Sequence, residues 1–239
     1  MGWSYNFWVG NFYPKGTKST EYLAEYSKHF NTVEINNTFY KVPSEHTLEK
    51  WREQTPHDFV FSSKFPQTIT HRKMLKNCDR DVKFFIERMS VLENKLGPLL
   101  LQLPPTFGEE QIAVLRDFLP VLPKDHQYAV EVRNNQLLNS ELFAVLRRSN
   151  VALTVGSSPF VQELNELTSR FVYVRWEGDR QKVKGTTGGK ELDRADETKR
   201  WAQKIRNFLE ETDEVFGYYS KYYSGDPTTD ARQLIEFLK

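Results

Sequence analysis

Cysteine is nearly missing from this chain: Cys78 is the only one among 239 residues. No internal disulfide can form, so the fold rests on packing and polar contacts, and a reducing interior is its natural setting. Long apolar runs are missing too. Nothing approaches the roughly 20 residues needed to span a bilayer, and the first residues do not follow a signal-peptide pattern. No membrane partner is expected, and the expected location is cytoplasmic. Excess charge is the third lack. A formal net charge of +1 gives no global attraction to nucleic acid, so any anion binding must be a local patch. Familiar catalytic signatures are also wanting: there is no Gly-x-Ser-x-Gly elbow and no pair of cysteines. His29, His46 and His57 fall on or beside expected helices, and no His/Asp/Glu set has metal-ligand spacing, so neither metal nor cofactor is expected.

What is present suits a soluble globular protein. Hydrophobic residues make up 38% and charged residues 27%, enough apolar material to bury a sizeable core. No composition break divides the chain, and 239 residues is a routine length for a single α/β barrel domain spanning 1–239.

Periodicity gives the order of elements. Apolar Tyr22, Leu23, Tyr26 and Phe30 recur at helical spacing, and Thr32–Tyr40 reads as a strand rich in β-branched and aromatic residues. Ser44 is placed to cap a helix carrying Leu48 and Trp51. Strand-like Phe59–Phe65 follows, then a long helix from about Asp79 to Asn94, broken by Gly97-Pro98. Further strands are expected at Leu99–Leu103, Tyr128–Arg133, Val151–Val155, Phe171–Glu177 and Glu214–Tyr222. Helices are expected at Glu109–Leu119, Ser140–Arg148, Phe160–Leu167, Glu191–Leu209 and Thr229–Leu238. Strict alternation of strand and helix argues for parallel strands joined by crossovers, and for a TIM-like (β/α)8-type barrel. A doubly wound open sheet would make its strands apolar on both faces. Here they are not.

If the apolar residues of each strand face the helices, a polar set faces inward. It comprises Glu34 and Asn36, then Ser62 and Lys64, Gln102, Glu131 and Arg133, and finally Tyr173, Arg175 and Glu177. On the last strand either Tyr219 and Lys221 or Tyr218 and Ser220 face in. Buried charges demand partners, so three carboxylates and at least three cations should form one network. Its upper members meet the C-terminal rim, where barrel active sites lie. The expected reading is a site that binds, and acts on, a small polar anionic ligand. Glu34 and Glu131 are the acid–base candidates, with Asn36, Lys64, His71, Gln102, Arg133, Arg175 and Glu177 as ligand-binding residues. His71 enters because it is the one histidine following a strand's C-terminal end.

Two other readings compete. The basic stretch Arg180–Lys190, with His71-Arg72-Lys73 and the aromatics around Tyr222, would suit nucleic acid, although its glycines match no phosphate-loop spacing. A non-catalytic interaction module is the other, and the oligomeric state stays open.

A resemblance joins these features. Gly-Trp-Ser-Tyr at Gly2–Tyr5, Phe-Tyr-Pro at Phe12–Pro14, Thr-Val-Glu-Ile-Asn from Thr32, Thr-Phe-Tyr through Tyr40 and Ile-Thr-His at Ile69–His71 recur in one family. So do Lys-Leu-Gly-Pro at Lys95–Pro98, Gln-Leu-Pro-Pro at Gln102–Pro105, Val-Glu-Val-Arg at Val130–Arg133 and Tyr-Val-Arg at Tyr173–Arg175. Together they make the chain resemble the domain of unknown function 72, the YecE-like family, over essentially its whole length. The resemblance implies a TIM-barrel-like fold and no established activity. Departures from the family pattern fall at Asn134 and Leu137, where a histidine and a tryptophan are usual, and at Glu177, Ser220 and Lys221. Relatives carry a strand before the residues matching Gly2-Trp3. The expectation is therefore an incomplete barrel, its first strand missing or truncated, open between the strand at Thr32 and the strand at Glu214.

Overall fold

The structure is a computed structural model describing residues 1–239. Seven strands form one sheet whose spatial order equals their chain order: β1 (Thr32–Ile35), β2 (Val60–Lys64), β3 (Leu96–Gln102), β4 (Tyr128–Glu131), β5 (Ala152–Ser157), β6 (Phe171–Trp176) and β7 (Glu214–Tyr219). Every neighbouring pair is parallel, as helical crossovers require. The helices are α1 (Tyr22–Ser27), α2 (Glu45–Glu53), α3 (Asp79–Met89), α4 (Ile112–Phe118), α5 (Ser140–Arg148), α6 (Ala195–Glu211) and α7 (Pro227–Leu238). Ser44 caps α2 as expected, its hydroxyl accepting from the Thr47 N–H at 3.3 Å.

The sheet curls into a nearly closed barrel, and no ladder joins β7 to β1. Other contacts span that seam. The Gly2 N–H donates to the Glu34 carbonyl at 2.9 Å, and the Met1 amino group donates to the Tyr219 carbonyl at 2.8 Å. Below them the Tyr218 and Thr32 hydroxyls meet at 2.8 Å. Because the Thr32 hydroxyl already donates to the Val60 carbonyl, Tyr218 is the donor across the seam. A largely apolar cavity of about 190 Å³ lies behind, between the two strands and α7, with Phe30, Val215 and Leu234 in its wall.

Period-two alternation sorts the strand residues. Outward-facing Leu99, Leu101, Val130 and Leu153 join α3, α4 and α5 in one apolar cluster, while Val172, Val174 and Trp176 pack with Trp201 of α6 in a second. Inside the barrel, Leu100, Ala129, Ala152, Phe171, Tyr173 and Tyr218 form an apolar plug below the polar layer. The ambiguity on the last strand resolves with Tyr218 inward and Tyr219 outward, stacked on Trp176 at 4.1 Å.

The expected helix at Phe160–Leu167 does not form, and β5 runs to β6 through an irregular segment. Its apolar residues, spaced as if for a helix, act as anchors: Val161 and Leu164 pack on the first cluster and Leu167 on the second. Glu163 is held from outside by Arg200 of α6 at 2.7 Å. Gly97 and Pro98, expected as a break, lie within β3, where Pro98 supplies a carbonyl to the Ser62 hydroxyl. The long helix from Asp79 ends at Met89, and Glu93 adopts a positive φ of 53° in the tighter turn that follows.

Candidate functional site

Five strands contribute to one buried polar network. Arg175 on β6 is its centre, buried among three carboxylates. Its Nε and Nη2 donate to the two oxygens of Glu34 on β1, each at 2.8 Å, in the bidentate geometry that a guanidinium and a carboxylate favour. Its Nη1 bonds both Glu131 of β4 and Glu177, just beyond β6. Arg133 completes the group, with Nε on Glu131 at 2.9 Å and Nη2 3.7 Å from Glu177. Glu131 also accepts from the Gln102 amide at 2.8 Å, and the Gln102 carbonyl accepts from Lys64 Nζ. On the far side Glu34 accepts from Asn36 at 2.9 Å and from the Tyr173 hydroxyl at 2.9 Å.

Electrostatics follow from this wiring. Burial opposes ionisation of Glu131, yet Arg175 and Arg133 overcome it and pull its pKa down to about 2. Burial also opposes ionisation of Glu34, and again Arg175, with the Tyr173 hydroxyl, holds it below the usual carboxylate range. Both are anions at any physiological pH. Lys64 goes the other way: burial lowers it to about 8, helped by the nearby positive charge of Arg175. His71 is lowered by burial and by Lys64 and Arg133, which favours the neutral imidazole.

Above the network, at the C-terminal ends of the strands, sits a cavity of about 470 Å³. All seven residues expected to bind ligand line it: Asn36, Lys64, His71, Gln102, Arg133, Arg175 and Glu177. The two acid–base candidates do not. Glu34 and Glu131 are absent from its wall, and their oxygens are engaged by Arg175, Arg133 and the amides of Asn36 and Gln102.

Several wall residues come from outside the strands: Tyr5, Gln67 and Arg180 from loops, and Phe39 and Tyr222 from the ends of the expected strands Thr32–Tyr40 and Glu214–Tyr222, which stop instead at Ile35 and Tyr219. Phe39 is central, its ring 3.8 Å from Lys64 Nζ and edge-on to His71 at 4.8 Å. His71 sits in a turn of π-helix, Thr68–Arg72, with its Nδ1 on the Thr70 hydroxyl at 2.9 Å, which leaves Nε2 available. Tyr40, 75% exposed, stands at the mouth. Gly156 on β5 is a further residue the pattern missed. A Cβ there would come within 1.9 Å of the Arg175 carbonyl, so only glycine lets β5 lie against the segment carrying the central arginine.

The charges of the cavity wall are unequal. Its only carboxylate is Glu177, already shared by Arg175 and Arg133. Lys64, Arg180 and Lys221 line the same space, and none has a carboxylate within 4.0 Å. Arg180 stacks on Tyr222 at 4.6 Å, and Lys221 lies over Tyr5, Phe7 and Tyr222. The glycine-rich stretch beyond Arg180 is differently occupied. The N–H groups of Lys184 and Gly185 donate to Glu191 at 2.8 and 2.7 Å, so these donors are already satisfied.

A family model described as "Protein of unknown function DUF72" matches residues 1–239. The UPF0759 protein YecE of Escherichia coli K12 is 45% identical over 134 residues, a match spanning 56% of this chain and 47% of that protein, about half its length. YunF of Bacillus subtilis is 25% identical over 253 positions, covering 95% and 89% of the two chains. Among solved structures, a DUF72 family protein from Thermotoga maritima superposes with a TM-score of 0.86 at 24% identity, over 99% of this chain and 96% of that one. Another from Enterococcus faecalis gives 0.77 at 22% identity, over 93% and 95%. These likenesses agree on a TIM-like fold. No helix of the chain is long and apolar enough to cross a membrane.

Proposed function

The chain belongs to the DUF72 family, whose description assigns no reaction, and from that premise we propose that its rim cavity binds, and acts on, a small polar anionic molecule. One observation carries this reading: three cations, Lys64, Arg180 and Lys221, share a 470 Å³ cavity without a carboxylate to neutralise them. Positive groups left uncompensated beside a concave, half-enclosed space favour an anion that supplies the missing charge. The volume suits a metabolite-sized ligand. Asn36, Gln102 and Ser220 add neutral donors and acceptors for hydroxyl or carbonyl groups. Proton transfer, for which Glu34 and Glu131 stood as candidates, falls on this reading to His71, the neutral imidazole facing the cavity. The buried carboxylates instead fix the arginines in place.

Thermal denaturation in the presence of inorganic phosphate, sugar phosphates, dicarboxylates and neutral polyols tests the reading. A ligand at one hundred times its Kd stabilises by about 2.7 kcal/mol, so at least one anion should raise Tm by several degrees while polyols leave it unchanged. Equal response to neutral and anionic compounds, or none to any anion, contradicts it.

A further inference from the structure

The molecule contains two buried lysines, and they are wired differently. Lys95, 6% exposed, gives its ammonium protons to three oxygens: the Arg52 carbonyl at 2.6 Å, the Thr55 carbonyl at 2.8 Å and the Thr55 hydroxyl at 3.1 Å. Nothing is left over, and Lys95 lines none of the cavities described above; it is a structural clamp. Lys64, 8% exposed, gives one hydrogen bond, to Gln102, and rests against the Phe39 ring. Its remaining valences face the rim cavity. No carboxylate lies within 4.0 Å of it, because Glu34, Glu131 and Glu177 are all committed to Arg175 and Arg133. A lysine that merely balanced charge in this barrel would sit on one of those carboxylates.

We propose that Lys64 is a covalent nucleophile that forms an iminium with an aldehyde or ketone carrying an anionic group. The inference rests on the anion-site reading and names the substrate class for that site. In the step, the Nζ lone pair adds to the carbonyl carbon and the carbonyl π pair moves to oxygen. That oxygen takes up the proton leaving nitrogen, giving a neutral carbinolamine. A second proton converts the hydroxyl to water, which departs as the nitrogen lone pair forms C=N. Overall, amine, carbonyl compound and one proton give iminium and one water, with no change of oxidation state. His71, whose Nε2 is available in the same cavity, is positioned to carry those protons. The Phe39 ring face that now meets the ammonium would meet the iminium cation in the same way. Arg180 and Lys221 receive the anionic end.

A nucleophilic amine must spend time unprotonated. The groups facing Lys64 are Arg175 from β6, Arg133 beyond β4, Glu131 from β4, Glu34 from β1 and His71 from the turn after β2. Burial outweighs the carboxylates among them, and the resulting value near 8 leaves on the order of a hundredfold more free amine at neutral pH than an ordinary lysine holds.

The test is reductive trapping on the unaltered protein. Glyoxylate and dihydroxyacetone phosphate, with propionaldehyde as a neutral control, are incubated with the protein and sodium cyanoborohydride, and the modified lysine is located by peptide mass spectrometry. The expected result is a single adduct on Lys64, formed at least tenfold faster than on any other lysine, and slowed when phosphate competes. Lys64→Arg should lose the adduct while its surface lysines are modified at the rate seen in the unaltered protein. If phosphate stabilises the protein while Lys64 stays unmodified, or is modified no faster than surface lysines, the nucleophile is refuted and the anion site stands. If no anion stabilises the protein and Lys64 is not trapped, both fall together.

Discussion

At the scale of single residues, the molecule turns on how three carboxylates are divided among three cations. Arg175 and Arg133 take all of them, and Lys64 takes an amide. Removing the Glu131 carboxylate takes one of three counter-charges from Arg175 and leaves Arg133 only the more distant Glu177, so Glu131→Gln should destabilise the fold by about 3–5 kcal/mol in urea denaturation. A loss under about 1 kcal/mol would mean that the network is solvated. The same wiring fixes a pH dependence. Glu131, lowered to about 2, and Glu34, also lowered, hold fewer protons in the folded than in the unfolded state. Their contribution is complete above the ordinary carboxylate range and disappears as pH falls from about 4.5 towards 2. Asp230 has the opposite sign. Enclosed at the start of α7 and bonded to the Ser224 hydroxyl, it is pushed up by burial to about 6. Its contribution is present below about 4 and is lost as pH rises through 6. Asp230→Asn should therefore flatten the stability profile between pH 4 and 6 and leave the acid limb unchanged; a profile identical to that of the parent protein would contradict this.

At the scale of elements, the sharpest constraint is the contact between β5 and β6 at Gly156. Its φ of 148° lies in a region side chains rarely adopt, and a methyl group would collide with backbone that cannot yield. Gly156→Ala should cost more than about 3 kcal/mol or abolish soluble expression, whereas Gly16→Ala, where nothing lies within 4 Å, should cost about 1 kcal/mol. Chemical denaturation of the two variants side by side separates a steric cause from a purely conformational one. This constraint shows what the sequence could and could not disclose. Side-chain alternation is a local property, so Glu34, Lys64, Gln102, Glu131 and Arg175 were legible as an inward set from their strands alone. Depth along the barrel axis is not local. It depends on register, for example Gln102 opposite Glu131 while Lys64 lies opposite Leu100, and register decided which charged residues reach the cavity and which do not. Arg180 comes from a connection whose path follows no period, and Phe39 and Tyr222 lie past Ile35 and Tyr219, where the strands end although β-branched and aromatic composition continues the pattern. Val161, Leu164 and Leu167 imitate a helical stripe because a loop anchored on two separate clusters needs apolar residues at similar intervals.

At the scale of the whole molecule, the barrel divides into a lower apolar plug, a charge-matched layer and an upper cavity with surplus positive charge. The layers have different tasks. The plug and the seam hydrogen bond between Tyr218 and Thr32 hold the strands in register; the carboxylates hold the arginines; the cavity is left with cations to spare. The surplus charge is measured most directly by calorimetric titration of inorganic phosphate into the protein and into a variant carrying both Arg180→Ala and Lys221→Ala. These side chains lie at the rim, away from the buried network, so the variant should keep its fold. Binding should saturate at one site, weaken as salt is raised, and be at least tenfold weaker in the variant at unchanged Tm. Undetectable binding at low salt, or equal affinity in the two proteins, would contradict it.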